Sequence, residues 1–190
     1  SYVDIGKSIS ITSVPHAIKY DGTLWGWGYN QYGTIGNGTS TRYSSPVQVG
    51  SLNTWKKVAS GGVYLVAAIA TNGTLWSWGS FQGSAFSGQT NIPGQIGSDT
   101  NWSDLECFQG CMSMLKTDGT LWALAYTPNV GEVGNGTVGI TYTSPVQIGS
   151  DTTWKKITRG NNTAAGIKAD GSLWMWGDNS LGQYGNGTTR

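Results

Sequence analysis

The feature that most limits the fold of this 190-residue chain is a short motif that recurs four times. Each copy has the pattern Asx-Gly-(Thr or Ser)-Leu-Trp, where Asx is Asp or Asn. The copies are about 50 residues apart. The tryptophans that mark them are Trp25, Trp76, Trp122 and Trp174. A tandem repeat with this period is typical of one small structural unit stacked side by side. We therefore predict that the whole chain is a row of similar units.

Each unit predicts a short antiparallel sheet. A Trp-x-x-apolar landmark, such as Trp55 to Val58, predicts a first strand, and the apolar run 63–70 predicts a second strand that is buried on both faces. The Leu-Trp-x-Trp-Gly segment alternates as a third strand. The Pro-Val-Gln segment predicts an outer edge strand, where the missing proline N–H is tolerated.

The glycine of each Asx-Gly dipeptide is predicted to be structural, since it supplies the positive φ of a tight hairpin turn. These glycines are Gly22, Gly73, Gly119 and Gly171. The indoles of the third strands are also predicted to be structural, because large aromatic side chains fill the space between sheets. They are Trp25, Trp27, Trp76, Trp78, Trp122, Trp174 and Trp176. Gly26, between two indoles, is predicted to make room for a neighbouring sheet.

Three or four strands in a unit of about fifty residues is the period of a propeller blade. We predict an all-β fold: a β-propeller, or an arc of one, built from four blade-like repeats within a single domain, residues 1–190. The repeats span approximately 1–51, 52–98, 99–150 and 151–190, and the last lacks its outer strand.

These motifs resemble the regulator of chromosome condensation repeat family. The family's Asp-Gly-x-Leu-Trp-x-Trp-Gly, followed by a glycine-rich loop, is matched by DGSLWMWGDNSLGQYGNG (170–187) and almost as well by DGTLWGWGYNQYGTIGNG (21–38). The resemblance implies a seven-bladed propeller that works through its faces and loops. Known members include guanine-nucleotide exchange factors for small GTPases, a plant ultraviolet receptor, a β-lactamase-inhibiting protein and many bacterial and phage proteins.

The chain departs from this pattern in two ways. Its third copy has Leu124 and Ala125 in place of the second tryptophan and its glycine, and four copies are fewer than the usual seven. An open arc would expose an apolar blade face and unpaired strand edges. We therefore expect self-assembly, or continuation in a longer chain, to cover these edges.

The composition argues against several classes of function. Charged residues make up 11% of the chain and the net charge is +1, which predicts binding to neither nucleic acid nor a membrane. The glycine-rich loops lack the lysine and the helix of a phosphate-binding loop. We expect no cofactor, no metal site, no catalytic residue and no enzymatic activity. The single histidine, His16, is predicted to be a packed or surface residue.

Cys107 and Cys111 are too few, with one histidine, for a metal site. We expect them to be small buried apolar side chains, and a disulfide across a hairpin is the alternative.

The variable segment after each third strand carries large side chains that packing does not obviously require. Aromatic residues on rigid loops are typical of binding surfaces. The candidate binding residues are Tyr29, Tyr32, Phe81, Phe86, Tyr126, Leu181 and Tyr184. The alternative is that half of these loop side chains, such as Ile35 and Tyr184, fold back and fill the blade.

The sequence therefore predicts a non-catalytic binding or structural propeller that recognises a protein partner or a surface glycan. Low charge, many small polar residues and near-identical repeats resemble the bacterial and phage members, so we expect an extracellular or virion-associated setting. One alternative is a repeat lectin, in which the same aromatic residue of each copy stacks on a sugar. The other is an exchange factor for a small GTPase, which would need a projecting polar loop.

Overall fold

The computed structural model describes residues 2–6, 14–62, 64–80, 90–108, 110–126 and 129–189. Over these residues the chain is all β, and none of them forms a helix that could cross a bilayer. The strands form four antiparallel sheets, called blades 1 to 4. In every sheet, consecutive strands are hydrogen-bonded neighbours. The predicted all-β propeller fold is therefore confirmed.

The strands follow the predicted order in each repeat. Blade 1 contains β1 (Tyr2–Gly6), β2 (His16–Lys19), β3 (Leu24–Gly28) and β4 (Tyr43–Gln48). Blade 2 contains β5 (Trp55–Gly61), β6 (Leu65–Ala70), β7 (Leu75–Gly79) and β8 (Thr90–Ile96). Blade 3 contains β9 (Trp102–Phe108), β10 (Cys111–Lys116), β11 (Leu121–Ala125) and β12 (Tyr142–Gln147). Blade 4 contains β13 (Trp154–Arg159), β14 (Thr163–Lys168) and β15 (Leu173–Gly177).

The first strand of each blade lies on the inner side of the arc. Strand β5 contacts both β1 and β9, and β9 contacts β13, so the first strands form a continuous inner layer. The strands β4, β8 and β12 end their sheets on the other side. Each of these edge strands contains the predicted proline, namely Pro46, Pro93 and Pro145.

The Asx-Gly turn and the strand after it form one hydrogen-bonded unit. In blade 2, the Asn72 side-chain oxygen accepts bonds from the backbone N (3.1 Å) and hydroxyl (2.7 Å) of Thr74. The same hydroxyl accepts a 2.8 Å bond from Nε1 of Trp76. Equivalent bonds hold Trp25, Trp122 and Trp174. In every blade the Asx, the Thr or Ser and the Trp of the motif are thus linked by side-chain hydrogen bonds.

The apolar core is divided among three seams, and a seam here is the boundary between two neighbouring blades. At each seam, the tryptophan and apolar residue of an inner strand pack on an isoleucine or leucine pair of the preceding blade. At the first seam these residues are Trp55 and Val58 on Ile18 and Leu24. Burying each such side chain contributes about 1.5–3 kcal/mol. The seams therefore hold the blades together.

One predicted role of a glycine is wrong. Gly26 lies opposite His16 in the pairing of β2 and β3. A Cβ at Gly26 would lie 2.9 Å from Nε2 of His16 and 3.4 Å from a methyl carbon of Ile35. Both neighbours belong to the same blade, so this glycine makes room for the imidazole and the blade's own loop rather than for a neighbouring sheet.

Candidate binding surface

The blades have two ends with different chemistry. The hairpin end carries the four Asx-Gly turns. The opposite end, called the loop end, carries the segments that follow the third strands, such as 29–42. The predicted binding residues that the structure describes, Tyr29, Tyr32, Tyr126, Leu181 and Tyr184, fall in these segments.

A buried asparagine fixes the loop of blade 1. The Asn30 side chain donates to the carbonyl oxygens of Thr39 (2.9 Å) and Thr41 (3.0 Å), and it accepts from the backbone N of Ile35 (2.8 Å). In blade 4, Asn179 donates to the carbonyl oxygen of Thr188 (3.1 Å) and accepts from the backbone N of Tyr184 (2.9 Å). The sequence interpretation missed both asparagines, although they hold the same position in the repeat.

Three tyrosines from two blades meet at the loop end. The ring centroids of Tyr29 and Tyr32 are 6.3 Å apart, and those of Tyr32 and Tyr64 are 4.8 Å apart. The Arg42 guanidinium lies 4.6 Å from the centroid of Tyr29. All three tyrosines are half-buried. We call these four residues the tyrosine patch.

Tyr64 was not predicted, because it lies in the short connection between β5 and β6 and has no tyrosine counterpart in the other repeats. Its hydroxyl raises the pKa of Tyr32, since a second phenolate beside the first would be repelled. Tyr32 therefore stays uncharged at neutral pH, and Arg42 supplies a positive charge to the patch.

The other predicted binding residues are dispersed. Tyr126 packs against the apolar cluster between blades 2 and 3. The Tyr184 hydroxyl donates to the carbonyl oxygen of Gly177 (2.7 Å), so this side chain folds back on its own blade. Leu181 is 87% exposed, and Phe81 and Phe86 lie outside the described residues. Of the predicted residues that the structure describes, only Tyr29 and Tyr32 lie together.

Two of the predicted structural indoles lie directly at seams. Nε1 of Trp78 donates to the carbonyl oxygen of Thr34 (2.8 Å), in the loop of the preceding blade. Nε1 of Trp176 donates in the same way to Glu132 (3.2 Å). Leu124 holds this position in blade 3 and is fully buried.

His16 is buried at the seam between blades 1 and 2. Its Nδ1 lies 3.0 Å from the Val14 carbonyl oxygen and 3.0 Å from the Ser60 hydroxyl. Burial lowers the pKa of His16 to about 4, so the ring is neutral at physiological pH. Its partners are those of a packing residue that joins two blades.

Both cysteines are buried free thiols, so the alternative of a disulfide is not what the structure contains. Burial raises the pKa of Cys107 and Cys111, which disfavours the reactive thiolate. Among the described residues, no three His, Cys, Asp or Glu side chains are grouped to hold a metal ion.

A polar depression of about 600 Å³ lies at the inner side of the hairpin end, between β9 and β13. Lys57 and Lys116 both line it. Lys57 forms an ion pair with Asp104, and Lys116 forms one with Asp99 at 2.8 Å. Because these charges are already satisfied, the depression is a weaker candidate site than the tyrosine patch.

Two segments of the chain match sequence profiles of the regulator of chromosome condensation (RCC1) repeat, namely residues 21–68 and residues 154–183. The chain is also similar to the human E3 ubiquitin-protein ligase HERC2, with 28% identity over 185 residues. That match covers 91% of this chain and 4% of HERC2.

Solved structures show the same fold. Human WBSCR16 matches with a TM-score of 0.80 and 20% identity, over 94% of this chain and 48% of that chain. Yeast RCC1 (Prp20), solved bound to Kap60, matches with a TM-score of 0.74 and 18% identity, over 94% of this chain and 44% of that chain. The chain therefore spans less than half the length of either structure. The blade order and the likeness to solved structures agree on a β-propeller fold of four consecutive blades over the described residues, and two segments of it are similar to the RCC1 repeat.

Proposed function

We propose that this chain is a non-catalytic protein-recognition module that binds its partner through the tyrosine patch. The observation that carries the proposal is the convergence of Tyr29, Tyr32 and Tyr64, from two blades, beside Arg42. Tyrosine and arginine are enriched among the residues that dominate binding energy at protein interfaces. By contrast, the indoles Trp76 and Trp122 bond within their turns, and Trp78 and Trp176 bond to the loop of the preceding blade.

The patch is suited to binding because it is already ordered. Asn30 fixes the loop that carries Tyr29 and Tyr32, and Tyr64 is held one residue before the fully buried strand β6. A tyrosine has few rotatable bonds, so an ordered tyrosine loses little entropy when a partner covers it. A rigid patch of this kind reduces the entropic cost of association.

A protein partner also agrees with what has been described for structural relatives. Yeast Prp20 was solved bound to Kap60, and Prp20p has been described together with its binding to Gsp1p and histones. We take a small GTPase and a histone as two defined probes for this chain, alongside a library of displayed protein fragments. Guanine-nucleotide exchange is the alternative activity, and accelerated nucleotide release from the GTPase would reveal it.

No observation favours the lectin alternative. The repeated indoles Trp76 and Trp122 lie edge-on to Trp55 and Trp102 and donate their N–H groups within the turn. Their faces and polar edges are thus engaged within the blades. An extracellular or virion-associated setting stays a prediction from composition.

The test compares dissociation constants for a partner selected with the wild-type chain. We expect Tyr32→Ala and Tyr64→Ala to weaken binding roughly 10- to 30-fold, since both rings lie at the centre of the patch. Tyr20→Ala is the matched control, because Tyr20 is 75% exposed at the hairpin end. All variants should unfold at nearly the wild-type temperature. Equal weakening by the control, or no weakening by either patch variant, would overturn the proposal.

A further inference from the structure

Two phenol rings from different blades are in contact at the loop end. Tyr32 belongs to the loop of blade 1, and Tyr64 lies just before strand β6 of blade 2. Their ring centroids are 4.8 Å apart, and the ring planes are tilted by 51°. Tyr64 is also the largest cause of the raised pKa of Tyr32, which requires the two hydroxyl groups to lie near each other. The hydroxyl-bearing edges of the two rings are therefore neighbours.

The contact is set by the packing of the two blades. An added Cβ at Gly33, next to Tyr32, would lie 2.7 Å from Cβ of Asn91, so the loop of blade 1 packs against the outer strand β8 of blade 2. The carbonyl oxygen of Tyr64 accepts a bond from the backbone N of Ser80, which follows the third strand β7. Both rings are half-buried, so a small molecule in solution can reach them. The two rings thus meet without any rearrangement of the chain.

Phenols in contact can undergo a reaction that neither ring undergoes alone. A one-electron oxidant takes an electron from a phenol while the hydroxyl proton passes to water, and a phenoxyl radical remains. The unpaired electron is shared with the two ring carbons beside the C–O bond, the Cε carbons of a tyrosine. Two such radicals join through these carbons. Reactants that are already held together couple far faster than reactants that must meet by diffusion.

We propose that Tyr32 and Tyr64 form a modification site, at which a one-electron oxidant joins the two rings as dityrosine. A bond forms between a Cε carbon of Tyr32 and a Cε carbon of Tyr64, and the hydrogen on each of these carbons moves to the phenol oxygen of its ring. In total the chain loses two electrons and two protons. A haem peroxidase supplied with hydrogen peroxide is an oxidant of this class, since the peroxide takes up both electrons and both protons and becomes water.

The neighbouring tyrosine is placed less well for this reaction. The centroid of Tyr29 is 6.3 Å from that of Tyr32, and the Arg42 guanidinium lies 4.6 Å from the centroid of the Tyr29 ring. The Tyr29 hydroxyl donates to the side chain of Gln31. A bond between Tyr29 and Tyr32 would also stay within one loop, whereas a bond to Tyr64 crosses the seam.

The dityrosine would add a covalent link between blades. Cys107 and Cys111 are free thiols and both belong to blade 3, so over the described residues blades 1 and 2 are joined by the main chain and by noncovalent contacts. A cross-link between residues 32 and 64 restricts the unfolded chain, as a disulfide does. The oxidised chain should therefore unfold at a higher urea concentration than the untreated chain.

The test oxidises the purified chain with photogenerated ruthenium(III) tris-bipyridine, with persulfate as the final electron acceptor. Peptide mass spectrometry and dityrosine fluorescence identify the products. We expect a product of monomer size that has lost two hydrogen atoms and in which the peptides of Tyr32 and Tyr64 are joined. Tyr32→Phe and Tyr64→Phe should each lower the fluorescence yield about tenfold or more, because phenylalanine keeps the ring but forms no phenoxyl radical. Tyr29→Phe is the matched control and should keep most of the yield.

Two further measurements separate coupling in the folded contact from random coupling. In concentrated urea the same oxidation should no longer give the joined pair, because the contact exists only in the folded chain. The shift in urea unfolding should be absent from the double variant Tyr32→Phe/Tyr64→Phe after the same treatment, which controls for oxidation of tryptophans.

Joined peptides that contain other tyrosines, products that form only between chains, or oxidation without any joined pair would overturn the proposal. An undiminished yield in Tyr32→Phe or Tyr64→Phe would do the same. Partner binding by the tyrosine patch is measured separately, so a failure of that proposed function and a failure of this coupling are distinct results.

Discussion

His16 shows how a single polar side chain is fixed by the place where two blades meet. The ring is fully buried, contacts Ser60 of the next blade and lies edge-on to Trp78, with ring centroids 5.8 Å apart. Its position opposite Gly26 leaves room for the imidazole and little more. Protonation would place a charge in this buried seam, and the free-energy cost of removing that charge from water lowers the pKa of His16.

The pH dependence of stability follows from this pKa. The folded value of about 4 lies below the unfolded value of 6.5, so between these values the unfolded chain binds a proton that the folded chain does not. The free energy of unfolding should therefore fall as the pH drops from 6.5 toward 4, by roughly 2–3 kcal/mol. Urea unfolding of the wild type at pH 7.5 and 4.5, compared with His16→Gln, measures this loss.

The comparison does not go below pH 4.5, because the carboxylates of the turns take up protons at lower pH. Hydrogen bonds from Thr23 and Thr120 lower the pKa of Asp21 and Asp118 below 3.8. The stability that they contribute is present above that pH and is lost only as the pH falls through their folded values. An equal loss in His16→Gln would contradict the assignment to His16.

At the scale of single residues, the sequence predicts the roles of residues that hold a position in the repeat, and it misses the roles of residues that do not. Tyr29 and Tyr32 could be proposed as binding residues because they follow a recognisable strand. Tyr64 completes their patch from another blade, and no pattern in the sequence brings it there. Arg159 is buried and donates to Ser113 and to the carbonyl oxygen of Glu132, a contact that depends on how blades 3 and 4 pack.

The strands and turns could be predicted because each is specified locally. The Asx-Gly turn needs a positive φ, and the alternation of Leu and Trp in the third strand separates the two faces of a blade. The replacement of a seam indole by Leu124 does not disrupt the blade, since the smaller side chain is also fully buried. The side chains that fill the space beside a given residue were harder to predict, because Gly26 contacts His16 and Ile35 of its own blade and not a neighbouring sheet.

Gly73 and Gly171 lie in equivalent turns, and comparing their substitution by alanine distinguishes backbone strain from contact with the next blade. Gly73 has φ 78° and faces the chain entering blade 3, whereas Gly171 has φ 85° and open space. We expect Gly171→Ala to cost about 1–2 kcal/mol through strain alone. Gly73→Ala should cost roughly 3 kcal/mol or more, because the Cβ also overlaps the Thr100 carbonyl oxygen.

Denaturant unfolding of each variant, compared with the wild type, measures this difference. Equal costs at the two positions would contradict the account of the seam as the cause.

The whole molecule is held together by contacts between neighbouring blades, with one seam for each pair. The fourfold repeat predicts this arrangement because identical units can only bury an apolar face by stacking. The repeat cannot predict the binding surface, which depends on loops that differ from blade to blade. The tyrosine patch spans blades 1 and 2, and the corresponding loops of blades 3 and 4 direct their aromatic residues inward.

Hydrogen–deuterium exchange of the chain, with and without a partner selected by the wild type, tests the central claim most directly. Amide exchange reports protection by segment, so the loop end and the hairpin end can be read separately. We predict that binding slows exchange in residues 29–42 and in the segment around Tyr64, and leaves the turns around Gly22 and Gly73 unchanged. Protection confined to the hairpin turns, or absent from the loop end, would contradict the assignment of the tyrosine patch as the binding surface.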